Sequence, residues 1–66
     1  MEYSNIILKI RAKLNITQQQ LAEMLKVTFA TVNRWENGKI TPSKRYIYLL
    51  EEICKENNIE FKGSEI

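Results

Sequence analysis

The stretch TFATVNRWENG, residues 28–38, combines helix signals with a crowded set of side chains. Thr28 can cap the start of a helix, and Gly38 suits the position just after its end, where a positive φ costs least. The helix between them has only about two and a half turns, yet it contains Arg34, Trp35 and Glu36 in succession. Its two faces must therefore meet different surroundings.

A helical projection separates an inner face from an outer one. At about 100° per residue, Trp35 lies within about 60° of Val32, so these two apolar side chains face the core. Arg can donate two hydrogen bonds to guanine and Asn can pair with adenine in the major groove of DNA. The outer stripe thus fits a helix that enters a groove, although an ordinary solvated face has a similar composition. At the spacing i, i+3, i+4, i+7 it contains Ala30, Asn33, Arg34 and Asn37.

Two charged residues project toward the interior. Glu36 lies about 40° from Val32, inside the edge of the buried sector, where an isolated carboxylate is costly. In the helix pattern near the start of the chain, Arg11 likewise lies about 40° from the apolar Ile7, beside Ile10. These are the only opposite charges on predicted inner faces, so we expect an Arg11–Glu36 ion pair. Two unrelated boundary charges are the alternative.

Upstream of this stretch the sequence predicts two further helices. The first covers residues 4–14, with Ser4 as its N-cap and Asn15 in a left-handed stop position. Thr17 and Gln20 form a capping box that opens the second helix, Gln18–Leu25. Its inward-facing residues are predicted to be Leu21, Ala22 and Leu25.

Downstream, Pro42 suits the first position of a fourth helix that runs to Glu56 and ends at Asn57. Tyr46 and Tyr48 lie two residues apart, so one of them should be exposed. The predicted inner stripe of the fourth helix is Tyr46, Ile47, Leu50, Ile53 and Cys54. No strand pattern is found, and the predicted class is all-α. Residues 1–58 form one domain and residues 59–66 a short tail.

Composition narrows the function. The 66 residues contain one Cys and no His, which excludes a disulfide within the chain and the usual zinc ligand sets. We expect Cys54 to be a small core residue. No nucleophile or acid–base pair stands out, so neither an enzyme nor a bound cofactor is expected. The start, MEYSN, has no basic leader, which predicts a cytosolic protein without a membrane segment.

Charge is distributed unevenly. Residues 1–45 contain eight Lys or Arg against three Glu, whereas residues 46–66 contain two Lys against five Glu. The first part therefore has a charge of +5 and the second −3, consistent with the overall +2. Such an asymmetry favours a polyanionic partner on the face formed by the first part.

Many of these positions together resemble the lambda-repressor-like (Xre/Cro-type) helix-turn-helix family. The resemblance covers about residues 6–54. It implies a compact domain of four helices, with a fifth as an alternative, in which the second helix crosses the DNA backbone and the third lies in the major groove. The matching residues are Ile10, Arg11, Thr17, Gln18, Leu21, Ala22, Lys26, Val27, Thr28, Val32, Arg34, Trp35, Glu36, Asn37, Gly38 and Pro42.

The resemblance also implies site residues. An ion pair like Arg11–Glu36 is found in several members. Phe29 could contact a thymine methyl or cover the edge of the core, and both readings stay open. The implied base contacts are Phe29, Ala30, Thr31, Asn33 and Arg34. The implied phosphate contacts are Gln18, Thr28, Asn37, Gly38, Lys39 and Lys44.

Two departures from the family pattern affect these implications. Lys26 occupies the place of the usual Gly in the inter-helix turn, at a cost of about 1 kcal/mol if its backbone is left-handed. The sequence after Asn57 is short and polar and lacks the pattern of the fifth helix that commonly forms the dimer surface in this family.

The predicted function is that of a repressor-type transcriptional regulator of bacterial or phage origin. It should bind double-stranded DNA at a pseudo-palindromic operator as a homodimer. The alternative is an antitoxin or another protein-interaction module with a protein partner.

Overall fold

The computed structural model describes residues 3–60, and within them the chain forms four helices and no strand. These are α1 (Tyr3–Leu14), α2 (Gln18–Leu25), α3 (Phe29–Glu36) and α4 (Lys44–Glu56). The all-α prediction is confirmed. A fifth helix would fall mainly in residues 61–66, which lie outside the described residues.

Two predicted helix starts are wrong. Ser4 is not an N-cap but lies inside α1, because the helix already includes Tyr3, whose buried ring packs into the core. Pro42 is not the first residue of α4. It is a buried residue of the loop that precedes α4, and Ser43, with ψ 168°, is the N-cap. Proline is compatible both with the first position of a helix and with the non-helical position that Pro42 occupies before Ser43.

All four helices end in the same hydrogen-bonded stop, with one residue in the left-handed conformation. In each case the next N–H donates to the carbonyl five residues before it, which is the Schellman arrangement. These bonds are Ile16 to Arg11 at 3.1 Å, Val27 to Ala22 at 2.9 Å, Lys39 to Arg34 at 2.9 Å and Ile59 to Cys54 at 2.8 Å. The left-handed residues are Asn15, Lys26, Gly38 and Asn58.

Side-chain caps fix the start of α2 and α3. The Thr17 hydroxyl accepts from the Gln20 N–H at 3.0 Å, and the Gln20 side chain accepts from the Thr17 N–H at 2.8 Å, as the capping box predicts. Thr28 caps α3 by accepting from the Thr31 N–H at 3.2 Å. Only two residues, Lys26 and Val27, thus separate the end of α2 from the cap of α3.

The core draws on every helix. Helix α3 packs against α1 and α2, and α4 packs against α1. Burial raises the pKa of the Cys54 thiol, and this residue has the predicted structural role. The buried apolar residues are Tyr3, Ile6, Ile7, Ile10, Leu21, Ala22, Leu25, Val32, Trp35, Leu50 and Cys54.

Aromatic side chains join α3 to α4. The rings of Trp35 and Tyr46 lie 5.5 Å apart at an angle of 50°, and the Arg45 guanidinium lies 5.6 Å from the centre of the Tyr46 ring. Tyr48 is 61% exposed, so one of the two tyrosines is exposed as predicted. Ile59, at the start of the predicted tail, packs against the core.

Candidate nucleic-acid interface

Arg11 and Glu36 form a two-pronged ion pair between α1 and α3. The Arg11 Nε donates to Glu36 Oε2 at 2.6 Å, and Nη2 donates to Oε1 at 3.0 Å. The Glu36 side chain is only 6% exposed, against 25% for Arg11. Arg11 Nη1 also donates to the Ile16 carbonyl at 3.4 Å. The ion pair therefore connects the end of α3 to α1, and Arg11 also connects α1 to the loop that follows α1.

The ion pair changes the acid–base properties of both partners. Burial by itself raises the pKa of the Glu36 carboxyl, but the hydrogen bonds from Arg11 and Gln18 outweigh burial. The pKa of Glu36 consequently lies below its ordinary value, and the hydrogen bond to Glu36 raises the pKa of Arg11. Both groups are charged at neutral pH.

Three side-chain amides continue from this pair toward the surface. Gln18 Nε2 donates to Glu36 Oε1 at 2.7 Å, and Asn33 Nδ2 donates to Gln18 Oε1 at 3.4 Å. Asn37 Nδ2 then donates to Asn33 Oδ1 at 3.0 Å. We call Gln18, Asn33 and Asn37 the amide chain. It links the first residue of α2 to both the middle and the end of α3.

Arg34 and Ala30 lie on the exposed part of the outer stripe, together with Asn37. All three are exposed, whereas Asn33, between Ala30 and Arg34 in sequence, is half-buried. Within residues 3–60 the Arg34 guanidinium has no hydrogen bond or ion pair with another side chain, unlike that of Arg11. A planar guanidinium held on a short helix without an internal partner is suited to bidentate recognition of an outside acceptor.

The start of α3 presents a smaller polar group beside an aromatic one. The Thr28 and Thr31 hydroxyl oxygens lie 2.9 Å apart. Phe29 is 49% exposed, so about half of this residue is open to another molecule. Ala30 adds no bulk beyond its methyl group, which leaves room for another molecule to approach the helix backbone.

The remaining implied phosphate contacts are all exposed. Gly38 has φ 73°, a conformation that allows the chain to turn directly after α3. Lys39 lies next to it, and Lys44 is the first residue of α4. The start of α4 therefore offers backbone N–H groups, and Lys39 and Lys44 offer ammonium groups, to an anionic ligand.

The sequence alone did not predict the amide chain. The spacing of Asn33 and Asn37 places them one turn apart on α3, which is a recognisable signal for a side-chain hydrogen bond. The contacts of Gln18 with Glu36 and Asn33 join residues far apart in sequence and have no local signal. The Trp35–Tyr46 contact between α3 and α4 was missed for the same reason.

Other kinds of site find little support in the described residues. Between residues 3 and 60, no group of three His, Cys, Asp or Glu side chains is placed to hold a metal ion. Across the same residues, no helix is both long and apolar enough to cross a membrane.

Comparison with known proteins relates this geometry to a family. A family model described as "Helix-turn-helix" matches residues 7–57. An HTH-type transcriptional activator, BcrR of Enterococcus faecalis, is 40% identical over 43 residues, which are 65% of this chain and 21% of that protein. A type II methyltransferase, M.MspI of Moraxella sp, is 37% identical over 51 residues, which are 77% of this chain and 12% of that protein. No solved structure gives a significant match.

The chain belongs to the lambda-repressor-like helix-turn-helix family, because the family model covers most of it and the four helices follow the expected order. It spans about a fifth or less of the length of the two relatives. The family is one of DNA-binding domains in regulators, and α2, the turn at Lys26 and α3 form the helix-turn-helix itself.

Proposed function

We propose that this member of the helix-turn-helix family binds double-stranded DNA sequence-specifically, with α3 in the major groove. The observation that supports this most is the outer face of α3. Arg34 is exposed there, one turn after the small Ala30, and has no side-chain partner among the described residues 3–60. A helix of about 10–12 Å diameter fits a major groove about 12 Å wide.

The proposed base contacts come from the exposed or half-exposed side chains of α3. Arg34 donates to O6 and N7 of a guanine, and Phe29 packs on a thymine methyl. Ala30 and Thr31 let the helix lie close to the base edges. Asn33 lies on the same stripe, but both ends of its amide are already hydrogen-bonded within the protein.

The proposed phosphate contacts lie on both sides of α3. They fix the position of the helix in the groove and add affinity that does not depend on sequence. The N–H groups at helix starts and the ammonium groups of lysines are suitable donors to phosphate oxygens. These residues are Gln18, Thr28, Asn37, Gly38, Lys39 and Lys44.

We propose that a homodimer binds a pseudo-palindromic operator. Helix α3 has eight residues and is about 12 Å long, which corresponds to roughly four base pairs. So short a site recurs too often in a genome to direct one protein to one operator. Two copies on half-sites about 34 Å apart would double the sequence that is recognised.

Repression is the proposed regulatory outcome, for a regulator of bacterial or phage origin that acts in the cytoplasm. A bound dimer that overlaps a promoter excludes the polymerase without any further contact, whereas activation needs a surface that binds the polymerase. The similarity to an activator is limited to 43 residues. It therefore gives no reason to propose that this chain activates transcription. No enzymatic activity is proposed, since the segment shared with the methyltransferase is 12% of that protein.

A second candidate is a protein-interaction module, such as an antitoxin. It is favoured by Tyr48, an aromatic residue on α4 that is 61% exposed. Such a module would have a protein as its main partner, and its contact with DNA would be secondary.

Selection of binding sites from random duplex DNA tests the first proposal. We expect enrichment of one motif with two-fold symmetry, and affinity for random duplex that falls steeply with salt because phosphate contacts release counterions. A reporter with the selected site placed over its promoter should lose expression. Failure to enrich any sequence, together with affinity that is independent of salt, would favour the protein-interaction module.

A further inference from the structure

We propose that Asn33 is a positioning residue, which aligns Gln18 and Asn37 for contact with two DNA phosphates, rather than a base contact. The inference rests on the proposed function and deepens it. It starts from the amide chain, in which Asn33 is the central member and its two neighbours are the residues expected to contact phosphate.

The buried carboxylate sets the direction of every amide in the chain. An ionised Glu36 can only accept hydrogen bonds, so Gln18 must turn its NH₂ group toward it. The Gln18 oxygen then faces Asn33, which must donate in turn. The Asn33 oxygen then faces the end of α3, where Asn37 donates to it. Reversing any one amide would place two donors or two acceptors against each other.

This direction leaves donors at the surface. An amide NH₂ has two N–H groups, and each member of the chain uses one of them inside the protein. Gln18 and Asn37 therefore each keep one N–H that makes no hydrogen bond within residues 3–60, and such an N–H can donate to a phosphate oxygen. Gln18 opens α2 and Asn37 caps the end of α3, and Asn33 is the residue that bonds to both.

Asn33 itself is poorly placed for independent base contact. It is half-buried, whereas Arg34 and Ala30 on the same stripe are exposed. To pair with adenine, Asn33 would have to direct both its amide oxygen and its amide nitrogen at one base. In the structure the oxygen accepts from Asn37 and the nitrogen donates to Gln18. Its contribution to binding therefore passes through those two neighbours.

A double-mutant cycle tests this inference on the full chain. Binding of Asn33→Ala, Gln18→Ala and the double variant is measured on the selected operator, on its single-base-pair variants and on random duplex. We expect Asn33→Ala to lose roughly threefold to tenfold in affinity on every sequence. The double variant should lose clearly less than the product of the two single losses, since the residues act together. The matched control is Asn5→Ala, an exposed asparagine on α1, which should bind like the wild type.

The possible results separate the two proposals. Relaxed preference at one base pair in Asn33→Ala, or independent losses in the cycle, would overturn the positioning role while the protein still binds DNA. If the wild type shows no salt-dependent binding to duplex DNA, the proposed function fails, and the inference fails with it. Circular dichroism melts of each variant ensure that only folded protein is compared.

Discussion

Two arginines meet opposite surroundings in this protein, and the contrast separates stability from recognition. Arg11 lies against α3 and is bound by Glu36 through two hydrogen bonds, with only 25% of its side chain exposed. Arg34 lies on the outer face of α3 and has no such partner within residues 3–60. A charge that is paired and largely enclosed in the fold is poorly available to a ligand, whereas one on the outer face of a helix is accessible. The same side-chain chemistry is therefore expected to serve stability at Arg11 and, under the proposed function, recognition at Arg34.

Removal of the Glu36 carboxylate should give the largest effect. Glu36→Ala leaves Arg11 partly buried without its counter-charge, and we expect a loss of about 3 kcal/mol in unfolding free energy, the lower end for a broken buried pair because Arg11 is partly hydrated. Urea or thermal unfolding measures it. Glu56→Ala, which removes an exposed carboxylate on α4, should change stability by less than about 0.5 kcal/mol. Similar losses in both variants would contradict a structural role for the ion pair.

Acid should weaken the same interaction. The folded-state pKa of Glu36 is lowered, so its contribution to stability is fully present above the unfolded-state pKa and is lost as pH falls through the folded value. We expect the stability difference between the wild type and Glu36→Gln to be constant near neutral pH and to shrink in acid. A difference that stays constant down to the lowest pH at which both variants fold would show that the carboxylate charge is not involved.

Replacement of Arg34 tests the proposed role of the second arginine in recognition. Arg34→Ala should cost about 1–3 kcal/mol of binding free energy on the preferred operator and relax the preference at one base pair. The fold should be nearly unaffected, because Arg34 is exposed. Competition binding with single-base-pair operator variants measures the preference.

Lys39→Ala is the control for this readout. It should weaken binding to all sequences alike and lower the salt slope by about one unit, as expected for a phosphate contact. If Arg34→Ala behaved in the same way, Arg34 would be a phosphate contact, and specificity would have to come from Phe29, Thr31 or DNA shape.

The smallest effect is expected in the turn between α2 and α3. Lys26 has φ 59° and ψ 43°, a conformation that costs a side-chain-bearing residue about 1 kcal/mol or more. Lys26→Gly should therefore stabilise the fold by roughly 0.5–1 kcal/mol, after the greater entropy of Gly in the unfolded chain is deducted. Thermal unfolding would register a rise of a few degrees.

Asn15→Gly is the matched control for the turn. Asn15 has nearly the same φ, 57°, but asparagine tolerates the left-handed conformation better than lysine. Its replacement should gain less than that of Lys26. An equal gain at both positions, or a loss at Lys26, would mean that the Lys26 side chain has a stabilising contact of its own.

The sequence predicted most of the fold because the signals for it are local. The Thr17–Gln20 capping box, the Thr28 cap and the left-handed Gly38 depend on residues within five positions of one another. The two wrong helix starts, at Ser4 and Pro42, are places with a buried ring where more than one conformation is locally acceptable. The Arg11–Glu36 pair was predictable because both projections pointed inward and the choice of partners was small.

By itself the sequence determined the order of the four helices found in residues 3–60, most of their inner faces and the outer face of α3, since each follows from helical periodicity and from caps within one turn. Only the tertiary structure decided which polar groups bond to one another. Gln18 meets Glu36 and Asn33 because α2 packs on α3, and the direction of each amide follows from the charge of a carboxylate on another helix. Hydrogen bonds between distant segments depend on distances of a few ångströms that no local pattern fixes. Packing therefore separates Asn33, tied into the protein, from Arg34, which is left for a partner.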